Sequence, residues 1–379
     1  MNKILHISAD FPDQLNSNST NAVKNLIDGT KDWDHIIFSL NRVFHKKREV
    51  TIKSGKIISI NFWGFPFGLF LKWFMLRLAK KILNIIEDNN IRIDVIHAHK
   101  LTYEGIVARY LSKKTGIPFI LSIRGDTDIK VLSYKLFYRK YYKELIEFSS
   151  HLFLLSPWVL DKMKKIIKFD IDSIGVSLLP NIVSSSEKKL LYCLNSNKFI
   201  TICDLDEYKR KNIKKLIKAF NVVIDKYKSI ELDIIGGGYC KNVYKIERYI
   251  NRLKNRDSFH YLGKINNIDL MKRLPQYAAM LLPSKRETFG MVYIEALFAG
   301  IPILYSKNTG VDGYFDNKRV GIKVNPYSIK DIIKGIEKLF EVQNEYKKNI
   351  LSMLNDDSFN LFRKENIVKH YRKIILTIK

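Results

Sequence analysis

Short β-branched runs recur along the chain, and each is followed by a stretch with helical spacing of its apolar residues. The runs are Lys3–Ser8, His35–Leu40, Asp94–His99, Phe119–Ile123 and His151–Ser156, then Phe199–Leu205, Glu231–Ile235, Ala278–Ser284 and Ile301–Ser306. They read as continuous apolar segments rather than alternating ones, the pattern of strands covered on both faces in a parallel sheet. Parallel strands need crossovers. Ile213, Leu216, Ile217, Phe220, Val223, Ile224 and Tyr227 supply one, recurring at steps of three and four with Lys214, Lys215 and Lys218 on the other face. The order predicts an α/β chain of doubly wound, Rossmann-like sheets.

A length of 379 residues accommodates two such domains. The polar stretches Ser184-Ser185-Ser186 and Asn195-Ser196-Asn197 precede the strand at Phe199 and suit a linker. We place an N-terminal domain at 1–187, a C-terminal domain at 188–357, and a final helical stretch at 358–379 that packs back on the first. Open α/β sheets bind ligands outside the carboxyl ends of their strands. Two of them are expected to face a central cleft, with a site assembled from both halves.

With 46% apolar and 12% aromatic residues the chain has ample material for cores, which excludes a disordered class. Sixty-five Lys and Arg against 38 Asp and Glu give +27, a charge that favours a nucleic acid, a phosphate-bearing ligand or an acidic membrane surface. Nucleic-acid binding calls for basic residues gathered in a groove with stacking platforms. The lysines here are spread over many helices, so no nucleic-acid partner is expected. Cys193, Cys203 and Cys240 show no C-x-x-C spacing, and neither a disulfide framework nor a metal site follows from them. No uncharged apolar run reaches the roughly eighteen residues needed to span a bilayer. Met1–Ser8 reads as a strand rather than an export signal, so the expected location is cytoplasmic.

The chemistry concentrates in Pro283-Ser284-Lys285-Arg286-Glu287-Thr288-Phe289-Gly290-Met291-Val292-Tyr293-Ile294-Glu295-Ala296, followed by Gly300-Ile301-Pro302. The order is strand, loop, helix, tight turn, strand. A helix beginning near Gly290 presents unpaired N–H groups and suits a diphosphate. Glu287 in the loop and Glu295 about a turn and a half into the helix are placed to meet one elongated ligand at two points. Ionised carboxylates offer only acceptors, and the vicinal diols of sugars offer paired donors.

This segment resembles the E-x7-E signature of the retaining nucleotide-sugar glycosyltransferases of group 1, family 4, which have the two-domain GT-B fold. Along the chain, Ile96-His97-Ala98-His99 resembles the family's H-x-H strand end, and Thr115-Gly116-Ile117-Pro118 its G-x-P turn. Leu179-Pro180-Asn181 resembles V-I-P-N, Leu232 to Gly238 resembles L-x-I-x-G-x-G, and Tyr261-Leu262-Gly263 resembles F-L-G. The resemblance implies a nucleotide-sugar donor as co-substrate with no separate cofactor. It implies Glu287 at the donor hexose, Glu295 at the ribose hydroxyls, and the backbone of Phe289 and Gly290 at the sugar and phosphates, with Asn181 also binding substrate. Of His97 and His99, one reads as a core histidine and the other, His99, as a ligand contact. Gly237 lies in a glycine run that serves either as a turn or as a close approach to phosphate.

Three stretches depart from the family pattern. Where G-R-L is usual the chain has Cys203-Asp204-Leu205, so the arginine position holds Asp204, and Lys211 is left as the cation for the diphosphate. Arg124, in Ser122-Ile123-Arg124-Gly125, replaces a histidine that often faces the transferred sugar; it is counted with Glu287 and Lys211 as a catalytic residue, stabilising the leaving diphosphate with Lys211, and also suits an anionic acceptor. After the first strand the usual glycine-rich loop is absent, and Ser19 or Thr20 is expected to cap the following helix. Asp126-Thr127-Asp128 also satisfies the D-x-D of another glycosyltransferase fold, which we set aside because a GT-B site uses protein cations and a helix end.

The resemblance implies retaining transfer of a hexose, from a UDP-sugar in the first instance, to a glycan or lipid-linked acceptor. An AT-rich bacterial gene and surface polysaccharide (O-antigen, capsule or lipopolysaccharide) are the expected setting. Aromatics beside cations, at Phe62 to Met75 with Arg77, Lys80 and Lys81, and at Tyr134 to Lys143, suit either a core-facing helix or an anionic membrane surface, hence a peripheral location. A GT-B epimerase or phosphorylase and a basic non-enzyme are the alternatives.

Overall fold

The structure, a computed structural model, describes residues 2–15, 20–65, 68–169, 174–183 and 193–378. The chain divides into two units, Met1–Ile182 with Phe362–Lys379, and Val183–Leu361. The expected junction at 187–188, with Ser184, Ser185 and Ser186, lies outside the described residues, as do Ser19 and Phe67.

The first unit runs β1 (Lys3–Ser8), α1 (Ala22–Gly29), β2 (Asp34–Val43), β3 (Val50–Ser54), β4 (Ile57–Trp63), α2 (Leu71–Asp88), β5 (Val95–Ala98), α3 (Glu104–Thr115), β6 (Phe119–Ile123), α4 (Asp126–Tyr134), α5 (Arg139–Glu147), β7 (His151–Leu154), α6 (Pro157–Ile167) and β8 (Gly175–Leu178). The sheet order is β3-β4-β2-β1-β5-β6-β7-β8, parallel throughout except for the edge strand β3. The chain winds outward from β1 through β2 and β4, then returns to β5 and winds the other way, so the switch point lies between β1 and β5. Leu5 and Ile7 of β1 face a core with α2 and α3. Ile4 on the opposite face packs with Leu26 and Trp33.

The second unit runs β9 (Lys198–Ile202), α7 (Ile213–Lys226), β10 (Glu231–Ile235), α8 (Cys240–Ile250), β11 (Phe259–Gly263), α9 (Asn267–Arg273), β12 (Ala279–Leu281), α10 (Met291–Phe298), β13 (Ile303–Ser306), β14 (Gly321–Val324) and α11 (Ile329–Asn355). Its all-parallel order β11-β10-β9-β12-β13-β14 switches between β9 and β12. The apolar stripe Ile213, Leu216, Ile217, Phe220, Val223 and Ile224 of α7 is buried, as its spacing requires.

The last helix, α12 (Lys364–Ile378), belongs to the first unit. Ile367, Tyr371 and Ile375, spaced by four, are buried beside Ile4 and Trp33, and Arg372 pairs with Asp32. Among the described residues, no helix is long and apolar enough to cross a membrane.

Candidate active site

In the second unit the switch point brings together the segments that follow β9 and β12, and those segments carry the charged groups. Lys211, just before α7, makes an ion pair with Glu287, just before α10. The two side chains are only 13% and 7% exposed, so the pair is largely desolvated. Arg210 Nη1 lies 3.9 Å from the other oxygen of Glu287, and the Ser284 hydroxyl donates to Oε2 at 3.4 Å.

The backbone around Glu287 is held from three sides. Its N–H donates to Thr309 Oγ1 at 2.6 Å, and its carbonyl accepts from the Thr309 hydroxyl and the Gly310 N–H. Buried Asn212 donates to the carbonyls of Pro283 and Pro326 at 3.0 and 2.8 Å, tying the segments after β9, β12 and β14 together. Lys285 N–H donates to Arg210 O at 2.9 Å. These bonds fix the two cations against the carboxylate before any ligand arrives.

Gly290 is the N-cap of α10 with φ +78°, where a Cβ would come within 2.5 Å of the Tyr293 ring. Only glycine fits that bend, which turns the start of α10 beside Glu287. Phe289 is buried and packs edge-on against Tyr314, so its ring belongs to the core. Glu295, five residues into α10, is 9% exposed and has no hydrogen-bond or ion-pair partner among the described residues. Burial pushes its carboxyl up to about 7. A carboxylate desolvated without a protein partner is costly unless a ligand supplies donors.

Gly237 accepts the Leu205 N–H at 2.7 Å through its carbonyl, and a Cβ on Gly236, at φ +154°, would overlap the carbonyl of Cys203. The glycine run is therefore a close backbone crossing against the segment after β9. Asp204, at the position where a family arginine is usual, accepts the Asp206 N–H at 2.9 Å and caps a short turn.

The remaining expected site residues lie in the first unit. Arg124 follows β6, and its Nη2 donates to Asn181 Oδ1 at 2.5 Å. Both line a cavity with His99 and Ser122. His97 is a core histidine, bonded to Tyr371 Oη at 3.0 Å and Ser122 Oγ at 2.8 Å. Thr20 Oγ1 accepts the Ala22 N–H at 3.3 Å, while Asn21 stands at the N-cap of α1. Asp128 of the D-x-D stretch is buried and accepts the Thr102 and Arg124 N–H groups, each at 3.3 Å, so it holds backbone in place.

Sequence reasoning missed a group beside these. Glu104 opens α3 with a fully buried carboxyl whose Oε1 accepts the Ala9 N–H at 2.6 Å, joining the ends of β1 and β5. Its Oε2 has no partner among the described residues. Burial pushes this carboxyl up to about 8, against the opposing pull of Lys100, which pairs with Asp10 at 2.6 Å. A glutamate at the start of a helix reads as an ordinary dipole partner, so only the burial marks it.

Residues 23–186 match the model of Glycosyltransferase Family 4, and residues 189–351 match that of Glycosyl transferases group 1. The chain is 23% identical to the N-acetyl-alpha-D-glucosaminyl L-malate synthase of Bacillus anthracis over 79% of this chain and 78% of that one. It is also 23% identical to the alpha-monoglucosyldiacylglycerol synthase of Acholeplasma laidlawii, over 82% of each. The solved structure of trehalose-6-phosphate from E. coli bound with UDP-2-fluoro glucose matches with a TM-score of 0.71 at 11% identity, over 98% of both chains. Two family models that together take in most of the chain, on two Rossmann-like units of the kind found in GT-B enzymes, settle its kinship: the protein is a glycosyltransferase of group 1, family 4.

Proposed function

We propose that the protein is a retaining hexosyltransferase. It moves a hexose from a nucleoside diphosphate sugar, a UDP-sugar in the first instance, to a hydroxyl of a glycan or lipid-linked acceptor in bacterial surface-polysaccharide assembly (O-antigen, capsule or lipopolysaccharide). The observation that carries this reading is the pairing of Lys211 with Glu287 at the switch point, together with a buried, unpartnered Glu295 across the start of the same helix. Glu295 accepts the ribose hydroxyls, Glu287 accepts from the hexose, and Lys211 with the first amides of α10 takes the diphosphate. As the bond from the anomeric carbon to the diphosphate oxygen breaks, its electron pair goes to that oxygen, where Lys211 and the helix end stabilise the new charge. The acceptor oxygen bonds to the anomeric carbon on the face the diphosphate leaves, and its proton passes to the departing phosphate. The first unit takes the acceptor, with Arg124, Asn181 and His99 as the contacts.

A panel of nucleoside diphosphate sugars, incubated with and without a membrane extract, tests this. One donor is expected to release its nucleoside diphosphate with a strong dependence on the extract. Equal consumption without extract, or recovery of an epimerised sugar, contradicts transfer.

The acceptor reading extends to a membrane surface. Phe70 and Trp73 at the start of α2 and Phe137 before α5 are exposed, the last at 99%. Lys135 Nζ donates to Gly68 O at 2.8 Å and Lys72 lies 4.5 Å from the Tyr141 ring centroid, so the two segments form one cationic, aromatic patch. Such a patch suits peripheral attachment to an anionic, cytoplasmic leaflet. The Acholeplasma relative is named for making a glycolipid. Vesicles rich in anionic lipid should retain the protein at low salt and release it at high salt, and absence of binding at either salt concentration refutes the attachment.

A further inference from the structure

Three histidine side chains, ending on a backbone carbonyl, cross the face of the first sheet that α1 and α12 cover. Strand order puts β2, β1 and β5 side by side, and His35, His6 and His99 come from or directly follow those three strands. His35 Nε2 lies 2.8 Å from the Thr30 carbonyl, His6 Nε2 lies 2.9 Å from His35 Nδ1, and His99 Nε2 lies 3.0 Å from His6 Nδ1. We propose that Thr30, His35 and His6 form a one-way hydrogen-bond relay that holds His99 in its Nε2–H tautomer. Its bare Nδ1 then accepts a hydroxyl hydrogen from a ligand reaching the cavity beside Arg124 and Asn181.

The direction follows from the first link. A carbonyl only accepts, so His35 Nε2 must carry hydrogen. The Thr30 hydroxyl oxygen also lies 3.1 Å from His35 Nε2, where it accepts from the same N–H while its own hydrogen goes to the Leu26 or Ile27 carbonyl at 3.1 and 3.3 Å. Burial holds His35, His6 and His99 below the ordinary histidine range, so each ring is neutral and carries one hydrogen. His35 Nδ1 is then bare and takes the His6 Nε2–H; His6 Nδ1 is bare and takes the His99 Nε2–H. The last bare nitrogen is His99 Nδ1, which has no hydrogen-bond partner among the described residues, on a ring that lines the cavity.

The cavity is about 20 Å³, which admits a group the size of a water molecule and excludes a sugar ring. A group of that size, such as one hydroxyl of a larger acceptor, fits beside His99. This rests on the reading that the first unit takes the acceptor; it adds the orienting residues His35 and His6, which touch no ligand themselves. One nitrogen each of His6, His97 and His99 also lies within 4.8 Å of the others, a spacing that invites a metal. Yet both nitrogens of His6 and His97 and one of His99 already have hydrogen-bond partners.

Nitrogen-resolved NMR of the full chain labelled with 15N-histidine decides the tautomer, because bare and protonated ring nitrogens resonate far apart. His99 is expected to show a bare Nδ1 and a protonated Nε2. His35→Phe removes the acceptor for His6 and should leave His99 as a mixture of tautomers, and His35→Gln, whose amide can donate to Thr30 and accept from His6, should restore the single one. In the membrane-extract assay, His35→Phe should lower the ratio of transfer to donor hydrolysis about three- to tenfold, the equivalent of one hydrogen bond. A protonated Nδ1 on native His99 overturns the relay, as does a zinc titration that shifts His6, His97 and His99 together. A lost tautomer with an unchanged ratio overturns the role in acceptor binding. If no nucleotide sugar is consumed at all, the functional reading fails while the tautomer result stands by itself.

Discussion

If Glu295 grips the ribose as an anion, donor affinity must follow its ionisation. Burial holds its carboxyl at about 7, against 4.5 in an unfolded chain. In the free protein the ionised fraction is then about one in eleven at pH 6 and about ten in eleven at pH 8. A donor that binds only the ionised form should show a dissociation constant about tenfold higher at pH 6 than at pH 8, or about 1.4 kcal/mol. The sign also holds for folding. The folded chain keeps a proton on Glu295 that the unfolded chain has lost between pH 4.5 and 7, so this group lowers stability as pH rises through that window. Calorimetric titration with a nucleoside diphosphate sugar is the assay, since its diphosphate is esterified at both ends and keeps its charge across the range. Glu295→Gln should bind more weakly at pH 8 and lose the pH slope. A native slope that is flat, or one that survives in Glu295→Gln, refutes the reasoning.

Other outcomes follow from the same structure. Glu287→Gln keeps the size of the side chain and removes the charge paired with Lys211, so turnover should fall by about 10²-fold while donor affinity changes far less; full activity removes Glu287 from the mechanism. Glu104, held at about 8 by burial, keeps a proton that the unfolded chain loses above 4.5, so it costs stability as pH rises toward 8. Urea unfolding should show Glu104→Gln gaining about 2–3 kcal/mol on the native chain between pH 6 and pH 8, and parallel pH profiles contradict this. Ile375→Ala should destabilise the first unit by about 2–5 kcal/mol, because Ile375 is fully buried where α12 closes over the sheet. A shift below 0.5 kcal/mol in the unfolding midpoint energy, roughly the scale of a surface substitution, would show that α12 contributes little.

Parallel strands were legible where they are continuous apolar runs: Lys3–Ser8, Phe119–Ile123 and Glu231–Ile235 begin and end where the runs do, whereas β8 (Gly175–Leu178) and β14 (Gly321–Val324), four residues each and opening on glycine, were not read. The hairpin of β3 and β4 was not read, although Ser54-Gly55 between Val50-Thr51-Ile52 and Ile57-Ile58 carries a turn signal, with Gly55 at φ +58°. β3 is largely exposed, and β4 carries Ser59 and Asn61 among its apolar residues, so neither forms a continuous apolar run. β12 ends at Leu281 rather than Ser284, since Pro283 has no N–H to give the ladder. At the site, Lys211, Glu287 and Glu295 were found by motif, and the structure brings the first two into contact. The histidine relay could not be read along the chain: residues 6, 35 and 99 meet only through the strand order β2-β1-β5. Glu104 was likewise hidden, because its burial comes from the packing of α3 and leaves no mark in local spacing.

Transfer by this site requires the donor to lie across the start of α10. A crystal of the full chain soaked with the nucleoside diphosphate sugar it consumes is the direct measurement. Ribose hydroxyls are expected about 2.7–3.2 Å from Glu295, and a phosphate oxygen at a similar distance from Lys211 Nζ. A nucleotide seated elsewhere, with Glu295 left in contact with water and Lys211 still closed on Glu287, would contradict that placement.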